Sequence, residues 1–253
     1  MNARTQRICV WTGPAFIGLF LAGFLIAGFV PPPSPADDAQ HIAAIFTQRT
    51  NRIRLGLIFM ILGAPLLFTW CSAISTQMKR IEGRFSPLAD AQLVVGGCGA
   101  LLFLMPTLIL EAAAYRPATR SPDITYALSD VGWLMFVGAT SFALIQNLCI
   151  AVAVLGDTSA RPVFPRWLGY FNLWTGLLFQ PGIVIFFFKS GPFRWNGPFP
   201  WWMPLTVFGI WFAVMVVALL KAIGEQEHEA AGAAEIAGGS SGEAGALPAL
   251  QPV

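Results

Sequence analysis

Five polar side chains sit where an apolar chain should not carry them, and they are the first candidates for chemistry. Asn147, Asn172 and Gln180 lie inside long hydrophobic runs, while Glu111 and Asp130 lie at the ends of two such runs. A polar group at membrane depth is costly, and it is retained where it faces a partner helix, a cavity or a pathway. Asn172, Gly176 and Gln180 recur every four residues, which puts them on one helical face. Counting from the midpoint of each run, Thr69, Ser72, Gln146, Asn147 and Asn172 reach a similar height, so a polar layer is expected there. Two uses are open to it, interhelical hydrogen bonding or the floor of a small-molecule pocket. Glu111 and Asp130 share the opposite end with Tyr115, Arg116, Arg120 and Asp123. Pairs such as Glu111 with Arg116 or Asp130 with Arg120 would be structural; a raised carboxyl pKa caused by burial would instead suit proton handling or a substrate cation.

Other chemistries find no donors in the sequence. The chain has only two histidines, His41 and His228, both outside the hydrophobic runs, so a bis-histidine haem between helices is excluded. Asp37 and His41 have i, i+4 spacing, with Asp38 beside them, a pattern common on solvated helices and weak as a metal set. The four cysteines form no CxxC pair and read as small apolar packers. No P-loop, nucleophile elbow or HExxH motif occurs. The reading therefore predicts no metal and no cofactor, and it leans away from an enzyme.

The elements that position these residues are six apolar stretches at roughly 11–30, 55–75, 91–111, 131–155, 167–188 and 201–221, each able to cross a hydrocarbon core of about 30 Å as a helix. Composition agrees, since charged residues make up 11% of the chain and hydrophobic ones 56%, whereas a soluble domain carries about 25% charged residues. The predicted fold is all-α, a polytopic membrane bundle of about six transmembrane helices over residues 1–224. A short surface helix at about 36–52 carries an Ile42, Ile45 and Phe46 stripe for docking on the bundle or on headgroups. Residues 225–253 are rich in Ala, Gly, Glu and Ser, and are expected to be a disordered tail. The run from Ile8 to Val30 exceeds a signal h-region of roughly 7 to 15 residues, so the first span is expected to remain.

Six crossings place both termini on one side, here side X, with the links near 76–90 and 156–166. Side X carries eight Lys and Arg residues and side Y seven, but Arg4 and Arg7 flank the first helix and favour side X as cytoplasmic. Small residues at Gly18, Ala22, Gly23 and Ala27, and at Gly96 and Ala100, are spaced for close helix approach. Pro65, Pro106 and Pro181-Gly182 are expected to bend spans two, three and five. The aromatic link from Lys189 to Trp202 fits an interfacial belt of Trp195, Trp201 and Trp202, or a lid over a pocket on side Y. A net charge of only +2 offers no field for nucleic acid.

The segments NRIRLGLIFMILGA, SDVGWLMFVG, RPVFPRWLGYFNLWTGLLFQPG and FFKSGPFRWNGPF resemble those of a family of uncharacterised bacterial six-helix integral membrane proteins, over about residues 10 to 223. The resemblance implies a six-helix architecture in a bacterial cytoplasmic membrane and carries over no functional residue. The expected partners are the lipid bilayer, a hydrophobic lipid-like small molecule bound or passed through the bundle, or a membrane protein that the chain serves as an accessory subunit. A membrane enzyme using Glu111 or Asp130 is the third reading.

Overall fold

Where the chain must bend inside the bilayer, it does so at glycine and proline, and these breaks shape the bundle. The computed structural model describes residues 2–83 and 85–243. Span one is α1 (Ala3–Ala27); α2 (Ala39–Gln48) follows on side Y. Span two is split at Ala64-Pro65 into α3 (Thr50–Gly63) and α4 (Leu66–Glu82), as the missing proline N–H requires. Span three is α5 (Pro87–Tyr115), which runs unbroken through Pro106. Span four divides into α6 (Pro122–Gly138) and α7 (Ser141–Gly156), and span five into α8 (Arg166–Leu178) and a 3-10 helix, Gln180–Phe187. A π turn at Pro198–Trp202 leads into α9 (Met203–Glu243). All six spans are long and apolar enough to cross a membrane, so the protein is an all-α, multi-pass membrane bundle.

The break in span four has no proline to announce it. Its cause lies across the interface: a Cβ on Gly182 would lie 2.4 Å from the Val137 carbonyl oxygen and 2.6 Å from Thr140 Cγ2, while one on Gly138 would lie 2.6 Å from the Phe186 ring. The 3-10 segment of span five therefore crosses span four at its interruption. Irregular backbone at this depth is tolerated only when enclosed by protein or lining a cavity.

Spans one and two meet at the tightest approach. A Cβ on Gly56 would fall 2.3 Å from the Gly23 carbonyl oxygen, so the two backbones touch, as small-residue spacing in span one predicts. Gly18 differs, because nothing lies within 4 Å of a Cβ placed there.

Side X is fastened by polar groups. Gln77, fully buried, donates to Gln6 at 2.5 Å and to Gln226 at 3.1 Å, and accepts from Arg80 at 2.9 Å. Arg7–Glu227 at 2.5 Å and Arg80–Glu229 at 2.8 Å complete the clasp, joining α1 and α4 to α9. These contacts correct the expected disorder of the tail from residue 225. Residues 225–243 continue α9, because Ala and Glu are strong helix formers and the first of these turns is anchored to spans one and two. Residues 244–253 of that expected tail lie outside the described residues.

In the side-X link between spans four and five, Asp157 organises a turn. Its carboxylate accepts from the Ser159 amide at 3.0 Å, the Ser159 hydroxyl at 2.6 Å and the Val163 amide at 3.0 Å. Burial pushes this carboxyl up, but the hydrogen bonds from Ser159 and Val163 outweigh it and hold the group below the ordinary aspartate value.

On side Y, Asp38 caps α2 by accepting from the His41 amide at 2.8 Å. Ile42 and Phe46 are buried, so this helix docks on the bundle, packing on α6. The aromatic link folds inward over it: Trp195 Nε1 donates to the Pro33 carbonyl at 2.8 Å and Asn196 Nδ2 to the Pro32 carbonyl at 3.1 Å. Trp195 and Trp201 are buried, and only Trp202 of the three is substantially exposed, so the link is a cap of the bundle rather than a belt facing lipid.

Candidate functional site

Phenylalanines at positions 16, 20 and 24 recur every four residues along α1, and Phe208 and Phe212 do so along α9, which gives each helix an aromatic face. These faces meet Phe103 of α5, Phe136 of α6 and Trp70 of α4. Ring centroids lie 4.9 Å apart for Phe20 and Phe103, 5.6 Å for Phe103 and Phe136, and 4.9 Å for Trp70 and Phe212. Most of the pairs are edge-on or tilted, the geometry that the ring quadrupole favours. Trp201 closes the side-Y end of the cluster, 5.3 Å from Phe24 and 5.9 Å from Trp133.

The rings do not fill the space between them. They enclose a cavity of about 520 Å³, bounded by all six spans, and eleven of its thirty lining residues are aromatic. Among the described residues no charged side chain lines it; the polar lining is Thr140, Gln146 and Thr206. The volume falls in the range of about 300–1,000 Å³ typical of small-molecule sites. Leu21, Phe142 and Ile210 also line it and are 40%, 37% and 51% exposed, so the cavity reaches the outer surface of the bundle at membrane depth. The breaks in spans four and five contribute, through Val137, Ala139 and Thr140 at one and Phe179 at the other.

None of the five polar residues singled out in the sequence lines this cavity. Asn172 is fully buried and lies behind the aromatic wall: its Nδ2 donates to the Leu168 carbonyl at 2.8 Å, and its Oδ1 accepts from Trp211 Nε1 at 2.9 Å. Asn147 donates to Ala143 within its own helix at 2.8 Å, and its Oδ1 is buried without a partner. A Cβ on Gly176 would lie 3.3 Å from Asn147 Cβ, so spans four and five do pack at this height. Gln180 donates to Gly176 at 2.9 Å and to Thr140 at 3.5 Å, bridging the two breaks. Thr69 and Ser72 are exposed on the outer face, so they leave the layer; Thr69 bonds Thr12 at 2.9 Å.

The side-Y carboxylates differ from expectation as well. Among the described residues neither Glu111 nor Asp130 forms an ion pair within 4 Å. Arg120 donates instead to the Ala112 carbonyl at 2.9 Å, Arg54 donates to Ala114 at 3.0 Å and to Tyr115, and Arg116 lies 5.1 Å over the Tyr115 ring. The carbonyls at the end of α5 carry partial negative charge and have no helical partner, so they compete successfully for these arginines. Glu111 keeps a buried Oε2 with no hydrogen-bond partner.

The residues missed in the sequence are the aromatic wall and Thr140. Periodic phenylalanine in α1 and α9 was the available signal. Compared with known proteins, the chain matches no family model, no curated protein and no solved structure at the level that would indicate kinship.

Proposed function

We propose that the protein binds, and admits from the bilayer, a hydrophobic lipid-like small molecule in the aromatic cavity. The observation that carries this reading is the cavity itself, about 520 Å³ of apolar space inside a membrane bundle, open at lipid-facing Leu21, Phe142 and Ile210. Protein interiors pack nearly without voids, so a space of this size calls for an occupant. Lateral access suits a ligand that partitions into lipid, because such a molecule need not cross water to enter. No residue of the wall is placed to break a bond, so binding or passage is the activity proposed.

Gly99 provides the test. It lines the cavity, and a Cβ at this position would meet nothing within 4 Å, so Gly99→Leu adds bulk to empty space without straining a helix contact. Native purification followed by lipid mass spectrometry should recover a small molecule with the wild type and lose most of it, at least about tenfold, in Gly99→Leu. Recovery of a stoichiometric protein partner with no small molecule would favour an accessory-subunit role instead.

We further place the chain in a cytoplasmic membrane with side X facing the cytoplasm, on the strength of Arg4 and Arg7 beside the first span. Reporters fused after Val30, after Ile81 and at the C-terminus should read periplasmic, cytoplasmic and cytoplasmic. A uniform reversal would overturn the orientation.

A further inference from the structure

The two ends of the bundle treat their cations differently. On side X, Arg7, Lys79, Arg80 and Lys221 each pair with a carboxylate, on Glu227, Asp90, Glu229 and Glu225. On side Y, among the described residues, none of the seven Lys and Arg residues lies within 4 Å of a carboxylate. Three of these seven gather at one place. Arg54 of α3 donates through Nε to the Ala114 carbonyl at 3.0 Å and through Nη2 to the Tyr115 carbonyl. Arg120, in the link after α5, donates to the Ala112 carbonyl at 2.9 Å. The guanidinium carbons of Arg54 and Arg116 lie 5.8 Å and 5.1 Å from the centre of the Tyr115 ring. All three cations thus converge on the last turn of α5.

The carbonyl bonds fix these groups in place without neutralising them, because a helix-end carbonyl carries only partial charge. A guanidinium has five N–H donors, of which Arg54 spends two here and Arg120 one. The nearest carboxylates along the chain do not compensate: Asp123 accepts from the Ser121 hydroxyl at 3.4 Å, and Glu111 keeps its Oε2 buried. The complement to the cluster is an acceptor that also brings negative charge, and the planar guanidinium fork matches phosphate oxygens.

The surface below decides what carries the phosphate. Helices α3 and α5 pack against each other. Leu55, Ile58 and Leu62 on α3, and Leu101, Met105 and Leu108 on α5, are all exposed, and in each helix their spacing puts them on one face. Both stripes descend from the arginines toward the middle of the bilayer. Leu55 follows Arg54 directly, and Leu108 lies seven residues before Tyr115, roughly 10 Å along the helix. A soluble phosphate makes no use of such stripes. Acyl chains lie along them when the phosphate sits at the end of the spans, where headgroups are.

We infer that Arg54, Arg116 and Arg120 bind the phosphate of an anionic phospholipid in the side-Y leaflet, with its acyl chains along the exposed stripes of α3 and α5. None of these residues lines the cavity, so this site stands apart from the ligand proposed there.

The probe pair is dioleoyl phosphatidylglycerol and dioleoyl phosphatidylcholine, which share chains and phosphodiester, while the choline of the second cancels the charge. Full-length protein, stripped of lipid in mild detergent, is titrated with each, and bound lipid is counted by native mass spectrometry. Phosphatidylglycerol should bind saturably and at least about fivefold more tightly. Arg116→Gln and Arg120→Gln should each weaken it by about threefold to fivefold, the size expected of one arginine beside an anionic headgroup, and leave phosphatidylcholine within about twofold. Lys221→Gln makes the same change of charge on side X and should leave both lipids unaffected. Arg116→Gln carries the test alone if Arg120→Gln fails to fold, because the Arg116 guanidinium rests on a ring and holds no carbonyl. Equal affinity of the two lipids, or equal losses in Lys221→Gln and the arginine variants, would overturn the assignment. Displacement of phosphatidylglycerol by excess glycerol 3-phosphate would make this a site for soluble phosphate instead. Gly99→Leu fills the cavity and should leave phosphatidylglycerol binding unchanged; its loss there would place the lipid in the cavity and not at the arginines.

Discussion

Asn172→Leu is expected to destabilise the protein by about 1–3 kcal/mol while leaving ligand retention intact. The substitution nearly conserves volume, so the loss is not one of packing. It removes the acceptor of Trp211 Nε1, an indole that is buried at 4% exposure, and leaves that donor with nowhere to turn. Asn172 does not line the cavity, which is why binding should persist. A second substitution sharpens the expectation. In Asn172→Leu/Trp211→Phe both halves of the bond are apolar, and part of the lost stability should return, because the orphaned donor is gone. Thermal unfolding followed by intrinsic fluorescence, with lipid content measured on the same preparations, reads both effects. A variant with unchanged stability that has lost its small molecule would return Asn172 to the binding site.

Gly56→Leu should cost more, at least about 3 kcal/mol, and should show as loss of monodisperse protein. The atoms that a new Cβ would strike are the Gly23 carbonyl oxygen at 2.3 Å, the Ala27 nitrogen at 2.7 Å and Ala27 Cβ at 2.8 Å. Two of these are backbone, which cannot rotate aside, so α1 and α3 would have to part. Their separation would also move Phe20 and Phe24, which form the aromatic wall on the span-one side. Gly18→Leu is the matched control, since the space beside Gly18 is open; it should change stability by no more than about 0.5 kcal/mol. Equal effects at the two positions in size-exclusion and melting assays would contradict a backbone contact at Gly56.

Much of the bundle was legible in the sequence, because a span is announced by its own composition and needs no partner to be recognised. All six apolar stretches correspond to spans, and Pro65 and Pro181 mark real interruptions. The break at Gly138 was not legible. It exists because Gly182 presses on Val137, a fact about two spans that neither segment states alone. The tail from residue 225 misled for a related reason. Its composition lacks apolar anchors, yet Glu227 and Glu229 find Arg7 and Arg80 on other spans.

The site was less legible than the fold. Polar residues draw the eye in an apolar chain, and Asn172 and Gln180 are indeed buried or half-buried in helix contacts, but neither lines the cavity, and their hydrogen-bond partners are backbone carbonyls and the Trp211 indole. The cavity itself is made by residues that look ordinary in a membrane sequence. A phenylalanine facing lipid and one facing a void have the same letter, and only the pairing of α1, α5, α6 and α9 separates them. Gln146 and Asn147 illustrate the point. They are adjacent in sequence, yet one lines the cavity and the other packs against α8.

The claim that this bundle houses a lipid-soluble ligand is tested most directly by an experimental density map of the protein taken from its native membrane in mild detergent. Connected density of ligand size should occupy the space between Phe103, Phe136, Trp201 and Phe208, and it should vanish in Gly99→Leu. Side chains collapsed together across that space in the wild type, leaving no room for an occupant, would contradict the account.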